Sequence, residues 1–147
     1  MILKIETGQN NPILRQKTQK IEKIDEDILN LIKEMTETMV KVDGIGLAAN
    51  QVDKSIRLFV INPDLSKKTV FINPEIIKIS KKSEIQEEGC LSLPEVFLSI
   101  KRAKSLKIKA IDENSKKFKL KAKGLLARAI QHEIDHLNGI LICDNVK

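Results

Sequence analysis

The only two histidines of this chain lie four residues apart, in the segment 131–136 (QHEIDH). At that spacing on an α-helix two side chains share one face, with Cβ atoms about 6 Å apart. Both imidazoles can then reach one ion at about 2.0–2.1 Å. Glu133 directly follows His132. It does not share the helix face of the two histidines, but it is close enough to take a proton from water bound to the ion. This H-E-x-x-H pattern predicts a helix that carries a hydrolytic metal centre.

Two histidines need a third protein ligand, and the usual downstream positions do not supply one. Ile142 occupies the place where a metzincin has its third histidine, and no glutamate follows Glu133. Cys143 and Asp144 follow closely, but Cys143 lies in an apolar stretch typical of a small buried residue. Cys90 lies between a glycine and a nearby proline, in the segment 87–94 (EEGCLSLP). It is the better candidate for a thiolate presented from a loop or strand end.

Hydrophobic spacing predicts two long helices, one from an N-cap at Asp25 to Gly44 and one from Gly124 to Gly139. The first twenty residues are predicted to be irregular. Predicted strands cover 56–61, 70–72 and 76–79, and a hairpin with a lysine-rich face pairs 106–110 with 118–122. The order helix, strands, hairpin, helix favours an α+β fold. The absence of repeats and linkers favours a single domain over 1–147.

Composition narrows the possible functions. Aromatic residues make up only 3% of the chain, which disfavours binding of single-stranded nucleic acid by stacking. The formal net charge is +6, which permits contact with RNA but does not by itself define a function. No apolar run approaches the roughly 18 residues of a membrane span. We therefore expect no membrane association and a cytoplasmic location.

Three segments in register resemble the motifs of the peptide deformylase family. Residues 44–51 (GIGLAANQ) fit a G-Φ-G-Φ-A-A-x-Q motif, where Φ is apolar; 88–92 (EGCLS) match a second motif and 131–139 (QHEIDHLNG) a third. The resemblance extends over nearly the whole chain. It implies antiparallel and mixed β-sheets around a central metal-binding helix, with an N-terminal helix, and hydrolysis of the N-formyl group from the initiating methionine of new polypeptides.

The resemblance also implies the metal centre and its chemistry. Cys90, His132 and His136 would bind one divalent ion, and Glu133 would act as general base and then as general acid. Thiolate and imidazole ligands suit several divalent metals. The family's metal is taken to be Fe²⁺, and Zn²⁺, Ni²⁺ or Co²⁺ could replace it in a preparation.

Five further residues are expected to handle the substrate. By resemblance, the Gln51 amide and the backbone N–H of Leu91 would hold the formyl oxygen. Backbone groups of Ile45, Gly46 and Gly89 would pair with the substrate peptide as with an added strand. The implied partners are N-formyl-methionyl nascent peptides and, weakly or transiently, the ribosome; we expect a monomer. Outside these roles, Glu88 and Asp135 could brace the metal ligands by hydrogen bonds, and a surface position is an equal alternative for Asp135.

One departure from the family pattern affects the substrate side, and two other functions compete with deformylation. Phe97 stands where many bacterial members carry an arginine, so side-chain preference beyond formyl-methionine is not set by resemblance. The chain could instead be a metallopeptidase acting on internal peptide bonds. It could also be a basic RNA-binding protein with a structural zinc site, although such a site would be expected to have four protein ligands.

Overall fold

Three α-helices, two short 3-10 helices (Ala49–Val52 and Ile142–Asp144) and seven strands lie within residues 1–145, the part of the chain that the computed structural model describes. The helices are α1 (Pro12–Arg15), α2 (Glu26–Lys41) and α3 (Gly124–Leu137). The strands are β1 (Gly46–Ala48), β2 (Leu58–Ile61), β3 (Val70–Ile79), β4 (Ser83–Cys90), β5 (Leu93–Ala103), β6 (Ser105–Ile111) and β7 (Lys117–Lys123). The fold is α+β, as predicted. The end of the predicted domain, Lys147, lies outside the described residues.

All strand pairs within the two sheets are antiparallel. One sheet has the order β1-β2-β3-β6-β7, and β4 and β5 form a separate two-stranded sheet. This order leaves β1 and β7 at the edges of the larger sheet. Strands adjacent in sequence pair with each other except β3 with β4 and β5 with β6. Instead, β3 pairs with β6, and the β4–β5 hairpin is inserted between them.

The larger sheet is covered by a helix on each face. Leu31, Ile32, Met35 and Met39 of α2 pack on one face, against a cluster that includes Leu58. The opposite face packs against α3 through a second cluster, whose members include Phe59, Phe71, Ile108 and Ile130. The alternation of β2 side chains between the two clusters follows from the period of two along a strand. The central strands are therefore apolar on both faces.

The predicted helix limits agree with the structure to within a few residues. The Asp25 side chain caps α2 by accepting a hydrogen bond from the Ile28 N–H at 3.0 Å, as predicted. The helix ends at Lys41, before the predicted Gly44. At the end of α3, Gly139 has φ +76, and a Cβ there would lie 2.4 Å from the Arg15 carbonyl oxygen. Only glycine fits this close approach.

Three parts of the strand assignment differ from the prediction, and one of them is the short strand β1, which was not predicted. The predicted strands 70–72 and 76–79 form one strand, β3, with irregularities in its pairing. Asn73 interrupts the apolar pattern because it has φ 50 and exchanges two 2.8 Å hydrogen bonds with the Ile21 backbone. The β4–β5 hairpin was not predicted, because β4 is mostly polar and β5 mixes apolar and polar residues without strict alternation. Residues 1–20, which were predicted to be irregular, also contain the short helix α1.

None of the helices within residues 1–145 has both the length and the apolar character needed to cross a membrane.

Candidate active site

The structure brings the three predicted metal ligands together. His132 and His136 project from one face of α3, with their Nε2 atoms 3.1 Å apart. Cys90 ends β4, where the pairing with β5 shifts register after Gly89. Its Sγ lies 3.3 Å from Nε2 of His136. One donor atom from each of the three residues lies within 4.8 Å of the others, so a hairpin end and a helix converge on one point.

The separations fit a single metal ion. An ion in tetrahedral geometry, at about 2.0–2.1 Å from nitrogen and 2.3 Å from sulfur, places its nitrogen donors about 3.3 Å apart. The same geometry places sulfur about 3.5 Å from nitrogen. The observed 3.1 Å and 3.3 Å are close to these values. Three protein donors leave one position open for water or substrate, which is the arrangement of catalytic rather than structural sites.

Glu88 orients the first of these histidines. Its Oε1 lies 3.1 Å from Nδ1 of His132, which leaves Nε2 of that ring directed at the ligand cluster. The buried Arg102 donates to both carboxylate oxygens of Glu88, at 2.9 Å and 3.0 Å. Arg128 donates to the same carboxylate from one turn earlier in α3. A carboxylate bonded to the second nitrogen of a histidine ligand fixes the ring orientation and raises its basicity.

The electrostatics of the cluster favour a cation. Burial alone would raise the pKa of Glu88, but its bonds to His132 and Arg102 lower it to about 2. Burial alone would lower the pKa of His132, yet the hydrogen bonds to Cys90 and Glu88 raise it to about 10. The pKa of His136 is lowered well below its usual value, first by burial and then by the neighbouring His132 charge. A metal ion bound here would replace the proton on His132, because a histidine ligates a metal only through its neutral ring.

Glu133 is a buried carboxylate on the wall of the same cleft. Its Oε1 has no hydrogen-bond partner among the described residues. Burial raises the pKa of Glu133 to about 7. Its Oε2 lies 2.7 Å from the place where Gly46 would carry a Cβ. The side chain therefore packs directly on β1, and only glycine there leaves it room.

The Gln51 side chain is buried and held at both ends. Its Oε1 accepts from the Ala48 N–H at 2.9 Å, and its Nε2 donates to the Ser92 hydroxyl at 3.0 Å. One of its two amide hydrogens is thus free for a further acceptor. Gln51 and Leu91 both line the cleft that contains the metal ligands. The structure places them on that wall; their catalytic roles remain predictions.

The cleft has a volume of about 620 Å³ and lies between the two sheets. The edge strand β1 contributes Gly46, preceded by Ile45, and β4 contributes Gly89. Edge strands present backbone groups that can pair with an extended peptide. The three residues predicted to bind the substrate backbone therefore line one cleft, and their pairing with a peptide remains a prediction.

The sequence and the fold that build this site can be compared with those of known proteins. A sequence profile for the family described as Polypeptide deformylase matches residues 2–147. The chain belongs to the polypeptide deformylase family. Removal of the formyl group from N-formyl-methionyl peptides is the activity of this family of metalloenzymes, and the chain is a hydrolase of that class.

Curated relatives and solved structures support the same assignment. The peptide deformylase of Pseudothermotoga lettingae is 46% identical over 134 residues, which span 91% of this chain and 77% of the relative. The crystal structure of peptide deformylase from Thermotoga maritima superposes with a TM-score of 0.95 at 40% identity, covering 100% of this chain and 99% of that one. The Synechococcus elongatus enzyme in complex with actinonin gives a TM-score of 0.93 at 41% identity, covering 99% and 79%.

Sequence reasoning missed two buried arginines of the site. Arg102 bridges Glu88 and Asp135, so Asp135 acts on this arginine and not on a histidine. Arg128 donates to Glu88 and also to the backbone oxygens of Ile100 and Glu84, at 2.9 Å and 2.7 Å. A signal for Arg128 existed in the sequence. It precedes His132 by four residues, so it lies on the same side of α3 as the predicted ligands.

Proposed function

We propose that this chain removes the formyl group with Cys90, His132 and His136 as the metal ligands and Glu133 as the proton carrier. The observation that carries the proposal is a buried, unpartnered carboxylate in the same cleft as a cluster of three donors. The donor separations support one ion with an open position. We propose Fe²⁺ as that ion; the soft thiolate and the two imidazoles also accept Zn²⁺, Ni²⁺ or Co²⁺.

A divalent ion bound here supplies Lewis acidity: it lowers the pKa of water and polarises the formyl carbonyl. Glu133 takes the proton of the attacking water as the new carbon–oxygen bond forms. It then gives that proton to the amine nitrogen as the carbon–nitrogen bond breaks, so formate and a free methionyl amine are released. Because burial raises the pKa of Glu133 to about 7, it can both accept and donate near neutral pH.

Gln51 and Leu91 stabilise the charge that develops on the formyl oxygen. The Ala48 N–H and the Ser92 hydroxyl hold the Gln51 amide in place before the substrate arrives. A donor that needs no reorganisation contributes about 2.7–4 kcal/mol when it is directed at a developing oxyanion. The backbone N–H of Leu91, next to Cys90 in the chain, is the second donor in this proposal.

The substrate is proposed to bind as an extended strand between β1 and β4. Backbone groups of Ile45, Gly46 and Gly89 pair with the peptide, because both strand edges line the cleft. Main-chain pairing accepts many sequences, which suits an enzyme acting on newly made polypeptides. We further propose that residues 1–147 form one catalytic unit that works as a cytoplasmic monomer and meets the ribosome weakly or transiently.

Metal-dependent release of formate from formyl-Met-Ala-Ser tests the activity, and Glu133→Ala tests the mechanism. We expect the variant to retain its metal and lose at least roughly 10²–10⁴-fold in kcat, the usual contribution of a general acid–base group. Metal content and formate release are measured on the same preparation. A variant that loses its metal would make Glu133 a ligand, and one with nearly full activity would remove it from the mechanism.

A further inference from the structure

The lysine-rich surface is the exposed face that β6 and β7 share with the end of β3. Register pairs Lys78 with Lys107, Lys107 with Lys121, and Lys109 with Lys119. Residues directly opposite in an antiparallel sheet point to the same face. This face therefore gathers seven lysines: Lys78, Lys107, Lys109, Lys117, Lys119, Lys121 and Lys123.

The lysine-rich surface continues the sheet face that α2 covers. Over β2 and β3, side chains such as Leu58 and Ile72 pack under α2, and Ile111, the partner of Ile72, contacts the same cluster. Beyond Ile111 the face is no longer covered by the helix. The opposite face of β6 and β7 is apolar and packs in the cluster under α3. Half of one sheet face is thus left uncovered, and it is basic.

Protection of a sheet edge explains only part of this pattern. Charged side chains on β7 would be enough to prevent another chain from pairing with that edge. Lys107 and Lys109, however, lie on β6, which is paired on both sides. Like charges directly opposite each other destabilise a sheet. Among the described lysines of this surface, only Lys109 has a carboxylate within ion-pair distance, an exposed contact to Glu75 at 3.5 Å.

The chemistry of the surface favours phosphate over bases or lipid. The ring of Phe118 packs edge-on against Phe71 and is covered by Lys68, whose Nζ lies 4.8 Å from the ring centroid, so it offers no free platform for stacking a base. Strands β6 and β7 contain no exposed large apolar side chain, and the end of β3 exposes only Ile77 and Ile79. Surface binding to a membrane uses a continuous apolar face, which two isoleucines do not provide. Beside the strands, a recess of about 560 Å³ has three lysines at its wall, Lys109, Lys117 and Lys119, together with Asn73 and the apolar residues Ala110, Ile111 and Phe118. The lysine-rich surface is therefore an array of ammonium groups suited to binding a polyanion.

We propose that the lysine-rich surface binds the phosphate backbone of duplex RNA without sequence preference. The four lysines of β7 extend over about 20 Å, along which a duplex presents on the order of ten phosphate charges. The choice of RNA rests on the proposed function, because newly made polypeptides are attached to an RNA-rich assembly. The binding itself rests on the geometry of the surface.

The test compares two variants that each remove four positive charges. One changes Lys109, Lys117, Lys119 and Lys121 to Gln; the matched control changes the exposed lysines Lys4, Lys33, Lys54 and Lys67. Binding to a fluorescent RNA duplex of about 20 base pairs, longer than the span of a typical duplex-binding domain, is followed by anisotropy over a salt series. Duplex DNA and phosphatidylserine vesicles are run in parallel.

We expect the surface variant to bind RNA at least tenfold more weakly. The log–log slope of affinity against salt should fall by about 3.6, which is about 0.9 for each of the four lost phosphate contacts. The control is expected to stay within about threefold of the unchanged protein, because its lysines lie elsewhere. Equal losses in the two variants would overturn the proposal, as would tighter binding to vesicles or DNA than to RNA.

Measuring formate release distinguishes a failure of the RNA-binding proposal from a failure of the proposed function. Both variants are expected to hydrolyse formyl-Met-Ala-Ser with unchanged kcat/KM, because none of the substituted lysines lines the cleft. If the unchanged protein has full activity but does not bind RNA, only the proposal that the lysine-rich surface binds RNA is overturned. If the unchanged protein binds RNA but releases no formate, the proposed function is overturned and the RNA-binding proposal stands.

Discussion

Replacing Gly46 by alanine should displace the proposed general base while leaving the metal ligands untouched. A Cβ at Gly46 would lie 2.7 Å from Oε2 and 3.1 Å from Cδ and Cγ of Glu133. Normal separations are about 3.5 Å, so the carboxylate must move by roughly 0.5–0.8 Å. Catalytic groups must be held within about 0.5 Å of the productive geometry, and a misplacement of about 1 Å can cost 10²-fold in rate.

We therefore expect Gly46→Ala to lower kcat by roughly 10- to 100-fold with little change in KM, because the added methyl leaves the backbone groups of β1 in place. Overpacking should destabilise the fold by about 1–3 kcal/mol, which lowers Tm by a few degrees per kcal/mol. Steady-state formate release, metal content and thermal unfolding are measured for the same preparation.

The matched control is Gly44→Ala, the same substitution two residues earlier in the chain, just before β1. A Cβ at Gly44 would meet Leu91 at 3.2 Å and Met39 at 3.4 Å, and no atom of Glu133 is among its nearest neighbours. This variant is expected to keep most of its kcat despite a similar change in packing. The reasoning fails if Gly46→Ala retains normal kcat with its metal bound, or if the control loses as much activity.

Three further predictions concern the metal, the oxyanion and pH. Cys90→Ser is expected to lose the metal ion, measured by elemental analysis, whereas Cys143→Ser keeps it; loss of the ion only in the second variant would overturn the ligand assignment. Gln51→Glu keeps the acceptor for the Ala48 N–H but repels developing negative charge, so kcat should fall about 10²–10³-fold with KM changing less. A raised KM with normal kcat would make Gln51 a residue that only shapes the pocket. Glu133 must be ionised to accept a proton, so kcat/KM should fall on acidification. Because burial raises its pKa from 4.5 to about 7 and a bound cation would lower it again, the midpoint should lie between these values; an acidic limb centred above pH 8 would contradict this.

The sequence alone predicted the parts of this protein that depend on local spacing. The separation of His132 and His136 sets their common face on α3, because a helix repeats every 3.6 residues. The Asp25 cap and the β6–β7 hairpin likewise depend on residues that are close together in the sequence. Residue types supplied the rest: so few histidines and cysteines left few possible metal ligands. The family motifs then pointed to the activity, which the family assignment confirmed.

Only the tertiary structure decided which distant residues meet. Glu88 contacts His132 and Arg128 across separations of 44 and 40 residues, and no local pattern encodes such pairing. The β4–β5 hairpin escaped prediction because β4 is mostly polar and the apolar residues of β5 do not alternate regularly with polar ones, yet it delivers Cys90 to α3. Likewise, the alternation of lysines along β6 and β7 predicted a solvated face. Sheet register alone showed that lysines of neighbouring strands lie directly opposite one another, because strand pairing is set by packing of the whole sheet.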